Sequence, residues 1–199
     1  MKNWPGIAAI TLATLLSSGA LAGPMEDAGK AYQRGDYATA MKLIRPLAEK
    51  GNIGAEYNLG TMYYNGEGTR RDYAEALKWY RMAAERGDVE AARRAGFMNA
   101  NGQGVGKNEA EAVKWYRMAA DKGDPESQNN LGVIYSSGKG VKEDNVQAHK
   151  WFTIAAARFP ASEKDKHDKA MKNSELLAKK MKPEELAEAQ KLAREWKAK

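Results

Sequence analysis

Shifted by 36 residues, the chain lies on itself. Gly60, Gly96 and Gly132 coincide, and so do Trp79, Trp115 and Trp151. Tyr80, Tyr116 and Phe152 follow, and then the pairs Ala83-Ala84, Ala119-Ala120 and Ala155-Ala156. Residues 55–90 and 91–126 are identical at 19 of 36 positions. A period of this length marks supersecondary units that cannot bury an apolar face alone and must stack to do so.

Each block reads as two helices. The second begins at Asp72, Asn108 or Asp144, whose side chains can accept from free first-turn N–H groups. Three residues on stand Glu75, Glu111 and Gln147, the spacing of a capping box. Apolar residues at 76, 79, 80, 83 and 84 form one broad stripe at helical spacing. Gly87 and Gly123 stop this helix, and Asp88 or Asp124 caps the next, with Pro125 at a first helical position. Between the two helices, Gly66-x-Gly68, Gly102-x-Gly104 and Gly138-x-Gly140 predict a tight reversal with positive φ.

Gly60, Gly96 and Gly132 fall mid-helix, where glycine costs about 1 kcal/mol relative to alanine. Its recurrence predicts close helix approach, with the alanine pairs expected opposite and the Trp-Tyr pairs filling the gap to the neighbouring repeat. Residues 23–54 read as a shorter first unit: Asp36-Tyr37-Ala38 matches Asp72-Tyr73-Ala74, but the loop is shorter and Leu43, Ile44 and Leu47 replace the Trp, Tyr and Ala found later. Full repeats are expected at 55–90, 91–126 and 127–162. Phe159-Pro160 then breaks the pattern, and 163–199 reads as a pair of capping helices. The first is a long charged helix over about 161–180, with Met171, Leu176 and Leu177 as its apolar side. The second starts at Pro183, with Leu186, Ala189, Ala193 and Trp196 on one face. A polar outer surface suits a terminal cap; the rival for this segment is a basic binding tail.

Residues 1–22 read as a signal peptide: Lys2, an apolar run from Ile7 to Leu16 too short to span a bilayer, and Ala20-Leu21-Ala22 before a cut at Gly23. Its rival is a retained membrane anchor. A periplasmic or secreted protein, with no integral membrane segment after cleavage, is therefore expected. There is no cysteine, which excludes disulfides, thiol nucleophiles and Cys-based zinc sites. Lys and Arg number 32 against 26 Asp and Glu, net +6, with the signs interleaved. So mild a surplus does not make a nucleic-acid binder.

The pattern resembles the Sel1-like repeat family, an α/α solenoid class related to tetratricopeptide repeats. Its signature appears as Ala55, Leu59-Gly60, Tyr63, Gly66-x-Gly68, Ala76, Trp79-Tyr80, Ala83-Ala84 and Gly87, and 127–162 keeps Leu131-Gly132, Tyr135, Gly138-x-Gly140, Ala148, Trp151-Phe152 and Ala155-Ala156. The middle block departs, with Ala95 for the leucine and Asn99 for the tyrosine. The resemblance implies an all-α, right-handed α/α solenoid of helical hairpins with a C-terminal helical cap. The first unit, with its short loop, is more similar to a tetratricopeptide repeat.

No catalytic constellation emerges. His149 takes the slot of Leu77 and Val113 and reads as a packed residue, and His167 lies in a charged helix face. No histidine pair has ligand spacing, so neither a metal nor a cofactor is expected. Ser136-Ser137-Gly138-Lys139 matches the S-x-x-K string of penicillin-interacting enzymes, but Gly138 and Lys139 fall in the reversal and no companion motif follows. Gly102 to Lys107 fails the phosphate-loop pattern, since Asn101 and Asn108 stand where glycine and a hydroxyl residue are required. The aromatic residues fall on core positions rather than on a nucleic-acid platform. A protein or peptide partner and no enzymatic activity are the expectation; a cell-wall hydrolase or β-lactam-binding protein is the alternative.

In tetratricopeptide-like solenoids the first helices line a concave groove. Carried over by register, that face gives Tyr57, Asn58, Thr61 and Tyr64, then Arg93, Arg94, Phe97 and Ala100, then Asn129, Asn130, Val133 and Ser136, with Lys30 and Gln33 from the first unit. Asparagine amides can pair with a peptide backbone, Arg93 or Arg94 can hold a carboxylate bidentately, and Tyr57, Tyr64 and Phe97 can anchor apolar side chains. The plain alternative is a solvated face of a solenoid that binds elsewhere, including through its cap helices.

Overall fold

The computed structural model describes residues 22–199, so the proposed leader and its cleavage point lie outside the described residues or at their edge. Ten α-helices follow in order: α1 (Ala22–Gln33), α2 (Tyr37–Glu49), α3 (Ile53–Asn65), α4 (Tyr73–Glu85), α5 (Val89–Asn101), α6 (Glu109–Asp121), α7 (Pro125–Ser137), α8 (Asn145–Arg158), α9 (Lys164–Ala178) and α10 (Pro183–Glu195). A single 3-10 turn, Ala161–Glu163, precedes α9. Among the described residues there is no strand. No helix among them is long and apolar enough to cross a membrane.

Short polar side chains start seven of these helices. Asp36, Asn52, Asp72, Asp88, Asn108, Asp124 and Asp144 each accept from a backbone N–H two or three residues on, at 2.7–3.1 Å. Each such cap contributes about 1 kcal/mol. The carboxylates of Glu75 and Glu111 turn forward, to Lys78 and Lys114 three residues on, rather than simply back to their caps. At the loops, Gly66, Gly68, Gly102, Gly104, Gly138 and Gly140 all take positive φ, as their spacing predicts. The two glycines of each loop do different things. The second presses on the start of the preceding unit's second helix: a Cβ there would lie 2.4 Å from the Tyr37 carbonyl oxygen at Gly68, and 2.3 Å from that of Tyr73 at Gly104.

The chain divides into two compact units. The first runs to Ala91 and includes Gln103–Val105; the second comprises Ala92–Gly102 and Gly106–Lys199. In the first, α2 packs on both α1 and α3, and α3 on α4. Its core holds Ile44, Leu47, Leu59, Met62, Leu77, Trp79 and Tyr80, all buried, whereas Leu43 is only half-buried. In the second, α7 packs on α6 and α8, and α8 carries both α9 and α10.

The mid-helix glycines face something other than the alanine pairs. A Cβ on Gly60 would meet the Tyr80 ring at 2.9 Å, on Gly96 the Tyr116 ring at 2.8 Å, and on Gly132 the Phe152 ring at 2.6 Å. The glycine is thus a socket for the second aromatic residue of its own hairpin. Only the tryptophan of each pair is left to reach outward, and Trp151 does so: Arg117 of α6 lies 5.2 Å from its ring centroid.

The cap differs from its expected shape in two respects. The buried stripe of α9 is Ala170, Ser174 and Leu177, whereas Met171 and Leu176 are exposed. In α10, Ala189 is buried, but Trp196 stands just beyond the helix end in extended backbone. Its ring meets Trp151 edge-on at 6.2 Å. A one-dimensional helical face cannot register that the chain leaves the helix before its last apolar residue.

Candidate interaction face

The residues expected to line a groove divide by unit and by what holds them. In the first unit, Tyr57 and Asn58 are buried, at 6% and 1% exposure. Tyr57 packs on Tyr80, with centroids 5.6 Å apart. Thr61 donates to the Tyr57 carbonyl at 3.1 Å and meets the Tyr80 hydroxyl at 3.1 Å. Tyr64 donates to Gln103 Oε1 at 3.3 Å and packs on Tyr73. All four belong to the packing of the repeat, two of them entirely. Because α3 is covered by both α2 and α4, its buried sector is wider than an amphipathic stripe implies. Lys30 pairs with Glu26 at 2.6 Å, and Gln33 is exposed.

In the second unit the picture changes. Arg93, expected to greet a partner, is committed internally to Glu126 and reaches Asp124 at 3.7 Å. Lys166 joins the same network through Glu126 and, at 3.1 Å, Glu163, tying α5, α7 and α9. Burial acts to raise the Glu126 carboxyl, but the Lys166 hydrogen bond and the charges of Arg93, Lys166 and Arg94 outweigh it and hold the group below the usual range. Arg94, Ala100, Asn129, Asn130 and Ser136 are half-buried. Phe97 and Val133, one repeat apart in register, stand out at 43% and 45% exposure.

Val133 also edges a cavity of about 390 Å³ between α7, α8 and α9. Phe152, Leu176 and Leu177 supply its apolar lining, with Asn173 and Lys180 from the cap. These α9 residues were not among the expected site positions. Their spacing of three and four was legible; what was not legible is that α9 lies along α8 as a further helix with that stripe beside α7.

The serine motif is not assembled as chemistry would need. Ser136 donates to the Val133 carbonyl at 2.9 Å, and Gly138, in the left-handed conformation, ends the helix between it and Lys139. His149 is buried at 5% exposure, 3.4 Å from Thr153 Oγ1, which meets Ser174 Oγ at 3.0 Å across to α9. Burial lowers its pKa, so it is a neutral packing residue of the cap. Asn99, in the place of the repeat's tyrosine, is buried and satisfied by its own helix, donating to the Ala95 carbonyl at 2.7 Å.

Comparison with known proteins agrees with this architecture. The family model described as Sel1 repeat matches residues 53–88, 89–124 and 125–158. No curated protein matches the sequence. Among solved structures, c5321, a protective antigen of uropathogenic Escherichia coli with an SLR fold, is 39% identical with a TM-score of 0.66. The match covers 70% of this chain but only 31% of that protein, so the chain spans about a third of its length. A Sel1 repeat protein from Oxalobacter formigenes, 24% identical, is similar in fold, with a TM-score of 0.64 over 85% of this chain and 74% of that one.

Proposed function

Because the chain belongs to the Sel1 repeat family, we propose that it is an exported, non-catalytic adaptor that holds a peptide segment of a partner protein against the first helices of its repeats. The Sel1 solenoid is typical of protein–protein interaction modules and is generally a non-catalytic scaffold. The observation that carries the reading is the exposed pair Phe97 and Val133. Large apolar side chains held in register on successive first helices are what a partner covers. Asn129 and Asn130 offer amides for an extended backbone, and Arg94 adds positive charge to the face. Arg93 supports the face from within, through Glu126.

Export rests on the leader-like composition of residues 1–22, and a periplasmic or secreted site follows from it. Sequencing the N-terminus of protein recovered from the envelope should begin at Gly23; recovery of an intact Met1 end would contradict export by cleavage. The binding face is tested by replacing Arg94, Phe97 and Val133 together with alanine. Partner capture by crosslinking in the native envelope should be lost while helicity and melting temperature hold. Undiminished capture by the triple variant removes this face from the reading.

A further inference from the structure

A second cleft lies in the cap, away from α5 and α7. It occupies about 450 Å³ between α8 and α10 and is open along one side. Its floor is apolar: Ile154 and Ala157 from α8, Ala193 from α10, and the Trp196 ring. Its charged groups are Arg158 and Arg194, and none of the side chains lining it is acidic. An apolar floor under two guanidinium groups complements an apolar body that carries an anion.

The cleft is built rather than incidental. Arg158 is anchored by its Nε–H to the Gly123 carbonyl at 3.0 Å and lies 5.1 Å from the Trp196 ring centroid. Trp196 is held by Trp151, and the tail beyond it is pinned where Lys199 donates its N–H to the Asp121 carbonyl at 2.8 Å and its Nζ meets the Asp121 carboxylate at 3.0 Å. The wall is therefore in place before anything binds, which lowers the ordering cost of binding. Thr153, whose hydroxyl is already engaged by Ser174, and Gln190 complete the lining. A simple alkyl carboxylate has no use for the Gln190 amide, whereas a peptide's last amide has.

We propose that this cleft takes the free C-terminus of a partner polypeptide ending in a large apolar residue. The carboxylate sits at Arg194 and Arg158, the side chain lies on Ile154, Ala157, Ala193 and Trp196, and the last amide pairs with Gln190. None of the residues of the α5–α7 face takes part.

The test uses the full chain and an N-acetylated tetrapeptide ending in phenylalanine, as the free acid and as the amide. Binding is read by calorimetry and by the Trp196 indole resonance, assigned with Trp196→Phe. The acid should bind at least about ten-fold more tightly than the amide, which is the loss expected for one charged interaction. Arg194→Gln, at an exposed position, should erase that preference, and Ala157→Glu, also exposed, should abolish binding by placing a carboxylate in the cleft. The proposal is overturned if acid and amide bind alike, if neither moves the Trp196 resonance at millimolar concentration, or if octanoate binds more tightly than the peptide acid. The triple variant at Arg94, Phe97 and Val133 should bind the probe unchanged, so that failure of one site is distinguishable from failure of the other.

Discussion

Gly132 shows how a single hydrogen atom in place of a methyl group can set the spacing of a hairpin. Alanine there gains about 1 kcal/mol of helix propensity, yet its Cβ would stand 2.6 Å from the Phe152 ring. Overpacking of that kind costs about 1–3 kcal/mol, so Gly132→Ala should lower the urea midpoint, for a net loss of up to about 2 kcal/mol. In a Phe152→Leu background, where the ring edge is gone, most of that penalty should disappear. His149 gives a pH-dependent counterpart. Burial disfavours its imidazolium, so the folded chain binds the proton more weakly than the unfolded chain does. The stability its neutral ring contributes is complete above pH 6.5, the ordinary value, and declines below it until the folded ring also titrates. The decline is at most about 1.4 kcal/mol for each pH unit. Urea titrations at successive pH values between 7.5 and 5 should show a steeper loss for the parent than for His149→Gln, which cannot titrate.

At the scale of elements, the repeat is joined by ties that a single hairpin does not display. Gly140 belongs to the loop after α7 but sits on α6, where a Cβ would lie 2.5 Å from the Glu109 carbonyl carbon and 2.6 Å from the Ala110 nitrogen. Gly138, two residues earlier and also at positive φ, would approach nothing closer than 3.3 Å. Alanine pays the left-handed strain of about 1–2 kcal/mol at both positions. Only at Gly140 must backbone also move, so Gly140→Ala should cost about 2 kcal/mol more than Gly138→Ala in chemical denaturation. Equal losses would show that the loop glycine does not join the repeats. Other ties run beside it: Arg117 of α6 donates to the Tyr135 hydroxyl of α7 at 2.6 Å, as Arg45 of α2 does to Tyr63 of α3 at 2.7 Å. Arg158 reaches the Gly123 carbonyl just beyond the end of α6, where helix carbonyls favour a cation.

For the molecule as a whole, stacking predicts that damage stays local. Ala189 is buried where α10 meets α8, and a carboxylate placed there by Ala189→Asp would be stranded against that helix. Hydrogen exchange should then rise across α8, α9 and α10, while amides in α1 to α4 keep their protection. A uniform rise through the chain would mean a cooperativity longer in range than nearest-neighbour packing.

How much of this could be read beforehand depends on distance along the chain. The period, the paired helices, the asparagine and aspartate caps and the glycine reversals were all legible, since each arises from groups within a few residues of one another, and the resemblance they carry is to the family to which the chain belongs. The choice of face was not. Tyr57 and Asn58 are buried because α2 and α4 both close on α3, Arg93 turns inward because the carboxylates of Glu126 and Asp124 meet it there, and Phe152 rather than an alanine pair fills the notch at Gly132. Local backbone chemistry determined which helices form and where they stop. The tertiary structure alone decided which side chains remain in water, because exposure is set by the neighbouring helices, whose approach no single helix encodes.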